Sequence, residues 1–150
     1  MDTFIFIISI LITAFAFAKL EIQIEGDGGW AKNLPTWRLS HESKWRIILG
    51  GRDVTGYHVW THLFVLLLCH SVLLLSGWTL RSELFLVIFL IAFYTVEDFL
   101  WFVFNPTFGI RKFKKEYIPW HRDTWWLFMP RDYFVVIFVL GILIYILYRI

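Results

Sequence analysis

Residues 55–80 read TGYHVWTHLFVLLLCHSVLLLSGWTL, and residues 82–104 read SELFLVIFLIAFYTVEDFLWFVF. Each stretch exceeds the roughly 20 mostly apolar residues that cross a hydrocarbon layer. Each also carries ionisable side chains where a purely structural span would have none. The first holds His58, His62 and His70, and the second holds Glu97 and Asp98. Thr55 after Asp53 is a plausible N-cap for the first helix. The second stops at Asn105-Pro106, because proline cannot continue the helical ladder.

Two more apolar runs lie outside this pair. One extends over residues 4–18 and carries no charge; the other covers 133–148 between Arg131 and Arg149, whose stems can snorkel to the headgroups. The pattern Ala16-Phe17-Ala18 raises a signal-peptide alternative for the first run, but Met1-Asp2-Thr3 carries no basic residue. A retained helix is therefore expected. The chain reads as an all-α membrane protein, a single four-helix bundle whose loops 19–54 and 105–132 form an aromatic-rich cap.

Composition agrees. The 150 residues are 59% apolar, with 16 Phe, 9 Trp and 6 Tyr, and only 17% are charged. A soluble domain has about 45–50% apolar residues. A disordered or collagenous chain is excluded, and the lone Cys69 excludes an intrachain disulfide or a cysteine-rich zinc site. A net charge of +2 on so apolar a chain gives no footprint for nucleic acid.

Four spans place both termini on one side. Loop 1 carries Lys19, Lys32, Arg38, Lys44, Arg46 and Arg52, and loop 3 carries Arg111, Lys112, Lys114, Lys115, Arg122 and Arg131; only Arg81 and Arg149 remain for the other side. The excess of basic residues marks the cytoplasmic loops. The expected location is a bacterial inner (plasma) membrane with both termini extracytoplasmic. Trp30, Trp37, Trp45, Trp120, Trp125 and Trp126 all fall in these loops, as expected for segments lying in the interface. In loop 1, Leu20, Ile22 and Ile24 alternate with Glu21, Gln23 and Glu25, which predicts a strand. Gly26-Asp27-Gly28-Gly29 then predicts a turn, and Lys44–Leu49 a returning strand ended by Gly50-Gly51.

Ionisable residues at membrane depth are costly unless paired or hydrated, so they mark candidate sites. Antiparallel neighbours entering at Thr55 and leaving at Phe104 lie level where residue numbers sum to about 159. That sets His62 beside Glu97 and His58 beside Trp101. His58 and His62, four apart, share one helical face. Two such imidazoles with a carboxylate and a third imidazole, His121 from loop 3, suit a divalent transition metal such as zinc, iron or manganese. Asp98 and Asp123 are then candidates for the general base or a ligand-orienting group, and Arg122 and Lys114 for holding a lipid or substrate anion. The alternative is a polar cluster in which Glu97 merely pairs with His62, and the cations of loop 3 merely fix its side of the membrane. His70 is expected to make a helix-packing hydrogen bond to neighbours such as Ser71 or to the first helix.

Several classes are excluded by what is missing. There is no HExxH and no GxSxG. Five histidines are too few for the histidine boxes of membrane desaturases, and imidazoles in only one span do not hold a haem between helices. Four-helix multidrug transporters rely on a carboxylate in the first helix, and residues 4–18 have none. Two functions remain: a membrane-embedded metal-binding protein, acting on a lipid or hydrophobic substrate at the cytoplasmic interface, or a non-enzymatic accessory subunit of a membrane complex. The expected partners are membrane lipid and a membrane protein or second copy.

Overall fold

A computed structural model describes residues 2–39 and 54–150. The predicted strand Lys44–Leu49 and its Gly50-Gly51 end lie outside the described residues. Four helices are each long and apolar enough to cross a membrane: α1 (Thr3–Glu25), α2 (Gly56–Ser76), α3 (Leu80–Phe104) and α4 (Arg131–Arg149).

α1 departs most from expectation. Asp2 caps its start by accepting the Phe4 amide at 2.8 Å, and it ends only at Gly26, which takes φ 66°. Residues 20–25 are therefore helical, and the predicted strand is wrong. Over six residues the alternation of Leu20 to Glu25 also fits a helix, in which Ala18, Glu21, Ile22 and Glu25 recur at i, i+3, i+4 and i+7 and are all buried. Leu20 and Ile24 point outward, exposed. The correction reverses one exclusion above, since the first helix now carries two carboxylates.

α3 is the central element. α1 lies along it through the small residues Ala14 and Ala18, both fully buried, which let two backbones approach closely where hydrocarbon gives no hydrophobic drive. Phe6 meets Phe85 and Phe17 meets Phe93 edge-on across this contact. α4 runs antiparallel along the same helix, with Tyr133 bonded to Asp98 at one end and Arg81 reaching Leu147 O at the other. α2 is different: only Gly56 at its start is buried, so its span stands largely apart from the other three. The α2–α3 hairpin turns through Gly77 at φ 96°, and Thr79 and Ser82 cap α3 reciprocally.

The far ends of α1 and α3 are tied together. Asn105, just past α3, donates its side-chain amide to Gly26 O at 2.9 Å and is itself 2% exposed. Loop 3 then folds over this end as two 3-10 turns (Ile110–Lys112 and Pro119–Thr124) and a two-residue hairpin, β1 (Trp125–Trp126) with β2 (Met129–Pro130). Ile118 and Phe102 pack with Ala18, Ile22 and Trp101 in the buried apolar cluster, flanked by Phe108, Phe113 and Trp125. The two ends of loop 1 also meet, as Arg38 bridges to Thr55 and Gly56 N–H donates to Trp37 O at 2.9 Å. A Cβ on Gly56 would lie 2.4 Å from the Trp37 indole, so only glycine fits this crossing.

Candidate functional site

Where loop 3 and the described ends of loop 1 meet the bundle, a half-open cavity of about 460 Å³ lies between all four helices. Five carboxyls line it: Glu21 and Glu25 from α1, Glu97 and Asp98 from α3, and Asp132 from α4. His58 and His62 of α2 face them, and Trp30, Tyr94, Trp101, Phe102 and Tyr133 supply the aromatic wall. Among the described residues no Lys or Arg lines it. Glu21, Glu25 and Glu97 are 5–8% exposed, and a bare charge so buried is costly.

Each group is held by its neighbours. Glu25 Oε1 accepts the Ala31 amide at 2.5 Å and stands 3.4 Å from His58 Nε2. His58 Nδ1 meets Thr55 Oγ1 at 2.7 Å, giving a chain from the α2 cap through an imidazole to the α1 carboxylate. Trp30 stacks on His58 with ring centroids 4.4 Å apart. Trp30 and Ala31 reach these positions in the left-handed region, at φ 50° and 51°. Two consecutive non-glycine residues in that region mark the kind of strain that clusters at sites.

Glu21 Oε1 accepts the Tyr57 hydroxyl at 3.2 Å, and its carboxyl also meets that of Glu97 within hydrogen-bonding range. Two carboxyls can bond to each other only through a proton that one of them carries; otherwise a cation must stand beside them. The Oε1 of Glu97 and the hydroxyl of Tyr94 are buried without a hydrogen-bond partner among the described residues. On the α4 side, Tyr133 donates its hydroxyl to Asp98, and the buried His121 places Nε2 3.7 Å from the same carboxylate. His62 stands exposed at the mouth, its ring stacked 4.5 Å from Tyr94, and its Nδ1 meets His58 O at 2.6 Å. A carbonyl only accepts, so Nδ1 carries the proton and Nε2 of the neutral ring is a lone pair.

Of the expected metal set, His58, His62 and Glu97 reach one cavity, whereas His121 sits behind Asp98. Among the described residues no three His, Cys, Asp or Glu side chains are grouped closely enough to hold a metal ion. Asp98 lines the cavity; the side chain of Asp123 lies outside the described set. Arg122 and Lys114 are exposed and do not line the cavity. The depth matching is off by about one turn: His62 meets Tyr94 rather than Glu97, and His70 bonds Glu83 at 3.1 Å. Reasoning on the sequence missed Glu21 and Glu25, although their i, i+4 spacing is the signal that singled out His58 and His62. Trp30, Tyr94, Asp132 and Tyr133 carried no local signal. No protein family, curated protein or solved structure matches the chain.

Proposed function

We propose that the chain is an integral membrane protein whose acid-lined cavity transfers protons to and from a lipid-soluble substrate. One observation carries this reading: the Glu21–Glu97 carboxyl pair, buried in a cavity that no Lys or Arg among the described residues lines. A carboxyl pair of this kind stores a proton in apolar surroundings, ready for general acid–base work. Glu97, whose Oε1 is unpartnered, is the group that faces the substrate, with Glu21 and Tyr57 behind it. The Thr55–His58–Glu25 and His121–Asp98–Tyr133 sets hold the flanks. The lone pair of His62 Nε2 is a second acceptor at the mouth.

A divalent transition metal is the second reading. It is favoured by the two imidazoles of α2, each with Nδ1 already engaged, as metal-ligating histidines are held. The carboxyls would have to draw together around the ion. Residues 26–39 and 105–130 lie at the site's end of the bundle, and the two loops to which they belong carry most of the basic residues, so we place the site on the cytoplasmic face of a plasma membrane, with Arg122 and Lys114 against anionic headgroups. A reporter fused after Ile150 should then read as extracytoplasmic and one inserted near Lys32 as cytoplasmic.

The deciding experiment incubates the purified protein, in nanodiscs carrying a bacterial membrane lipid extract, with heavy water. Mass spectrometry should find deuterium at carbon in one lipid class, abolished by Glu97→Gln. Stoichiometric metal on elemental analysis, with at least about a tenfold loss of occupancy in Glu97→Ala or His62→Ala, would replace the proton reading with the metal one. Neither signal would leave an accessory subunit whose polar cluster fixes helix packing.

A further inference from the structure

Two polar atoms without partners among the described residues point to what the cavity takes. Buried polar groups are almost always hydrogen-bonded, and each one left unmade costs about 1–3 kcal/mol. Tyr94 Oη and Glu97 Oε1 are both buried, both unpartnered among the described residues, and both belong to residues lining the same cavity. They lie three apart on α3, hence on one helical face. Glu97 is 6% exposed, so the missing bond falls to whatever occupies the cavity.

We infer that the ligand of this cavity is a lipid-soluble alcohol whose hydroxyl sits between Tyr94 and Glu97. A hydroxyl is one atom that can accept from the phenol and donate to the carboxylate oxygen at the same time. A ketone or ether can only accept, so it leaves one of the two atoms unsatisfied. An ammonium could donate to both, but it leaves the phenol proton unused and carries a full charge to a depth of about 10 Å inside the end of α3. Trp101 and Phe102, on the same wall, offer apolar surface to the carbons beside the hydroxyl. This inference rests on the acid–base reading of the cavity and names the group that anchors its substrate; the carbon that exchanges its proton must lie beside a further, acidifying group on the same molecule, because an alcohol alone does not activate a C–H.

The test is equilibrium binding of tritiated hexadecan-1-ol to the protein in phosphatidylcholine nanodiscs, with hexadecyl methyl ether, hexadecane and hexadecylamine as competitors. Unlabelled alcohol should displace the probe, and the ether and alkane should do so at least about tenfold less well. Tyr94→Phe keeps the ring stacked on His62 and removes only the hydroxyl; it should weaken binding about tenfold, equal to about 1.4 kcal/mol. A circular-dichroism spectrum and a detergent unfolding midpoint for Tyr94→Phe equal to those of wild type check that the loss is not one of folding. Ether competing as well as alcohol, amine competing better, or wild type binding no better than Tyr94→Phe would each overturn the inference, the last because water alone then fills the gap. If alcohol binding fails while deuterium still enters a lipid, only the hydroxyl inference falls. If alcohol binds and no lipid is labelled, the acid–base reading falls instead.

Discussion

α2 carries a histidine–glutamate pair near each end, and the two pairs differ in everything except chemistry. His58 stands 3.4 Å from Glu25 with side chains 14% and 4% exposed; His70 stands 3.1 Å from Glu83 with side chains 31% and 26% exposed. The shorter contact is the less consequential one. Glu83 is also held by Trp78 Nε1 at 2.9 Å, and both of its partners belong to one hairpin, so the pair staples a turn that Gly77 and the Thr79–Ser82 cap already define. Glu25 instead joins three separate pieces of chain: α1, the left-handed turn at Ala31, and α2. Burial and connectivity, not distance, separate a site from a staple.

Four substitutions sharpen or break that contrast. The largest effect is expected from Glu25→Ala, which leaves the Ala31 amide and His58 without their acceptor; removing one member of a buried pair costs about 3–5 kcal/mol. Thermal unfolding in a mild detergent should show it clearly, and a midpoint equal to that of Glu83→Ala would end the distinction. Next comes Gly56→Ala. Its new methyl must displace the Trp37 indole, and overpacking of this sort costs about 1–3 kcal/mol, whereas alanine at Gly141 on α4, with nothing within 4 Å, should be neutral or stabilising. Similar midpoints for the two alanines would mean that the loop 1 crossing is not packed as described. Tyr133→Phe removes the phenol bonded to Asp98 and should cost about 1 kcal/mol, with the catalytic readout falling further than stability if Asp98 must be held in place. Glu83→Ala closes the series at about 0.5 kcal/mol or less, the usual worth of an exposed ion pair; a larger loss would promote the hairpin from staple to structural core.

The helices were legible because a span needs only length and apolarity, and the stop at Asn105-Pro106 is written in the chemistry of proline. Half of the site was legible for a related reason: His58, His62, Glu97 and Asp98 are conspicuous against an apolar background. Glu21 and Glu25 were not, because six residues are too short a window to tell a period of 2 from one of 3.6, and Lys19 looked like the end of a span. Trp30 enters the site through backbone torsions, Tyr94 through a register one turn away from the idealised one, and Asp132 and Tyr133 through the return of α4. None of these is a local property of sequence.

The isolation of α2 has a practical corollary. His58, Val59 and His62 form one wall of the cavity, yet most of the helix beyond them is exposed. On the membrane reading proposed above, acyl chains would buttress that wall from behind, and the bilayer would be a building material of the site as much as its surroundings. A short-chain detergent would replace that buttress with a softer one, so ligand affinity should follow lipid chain length even when all four helices remain folded.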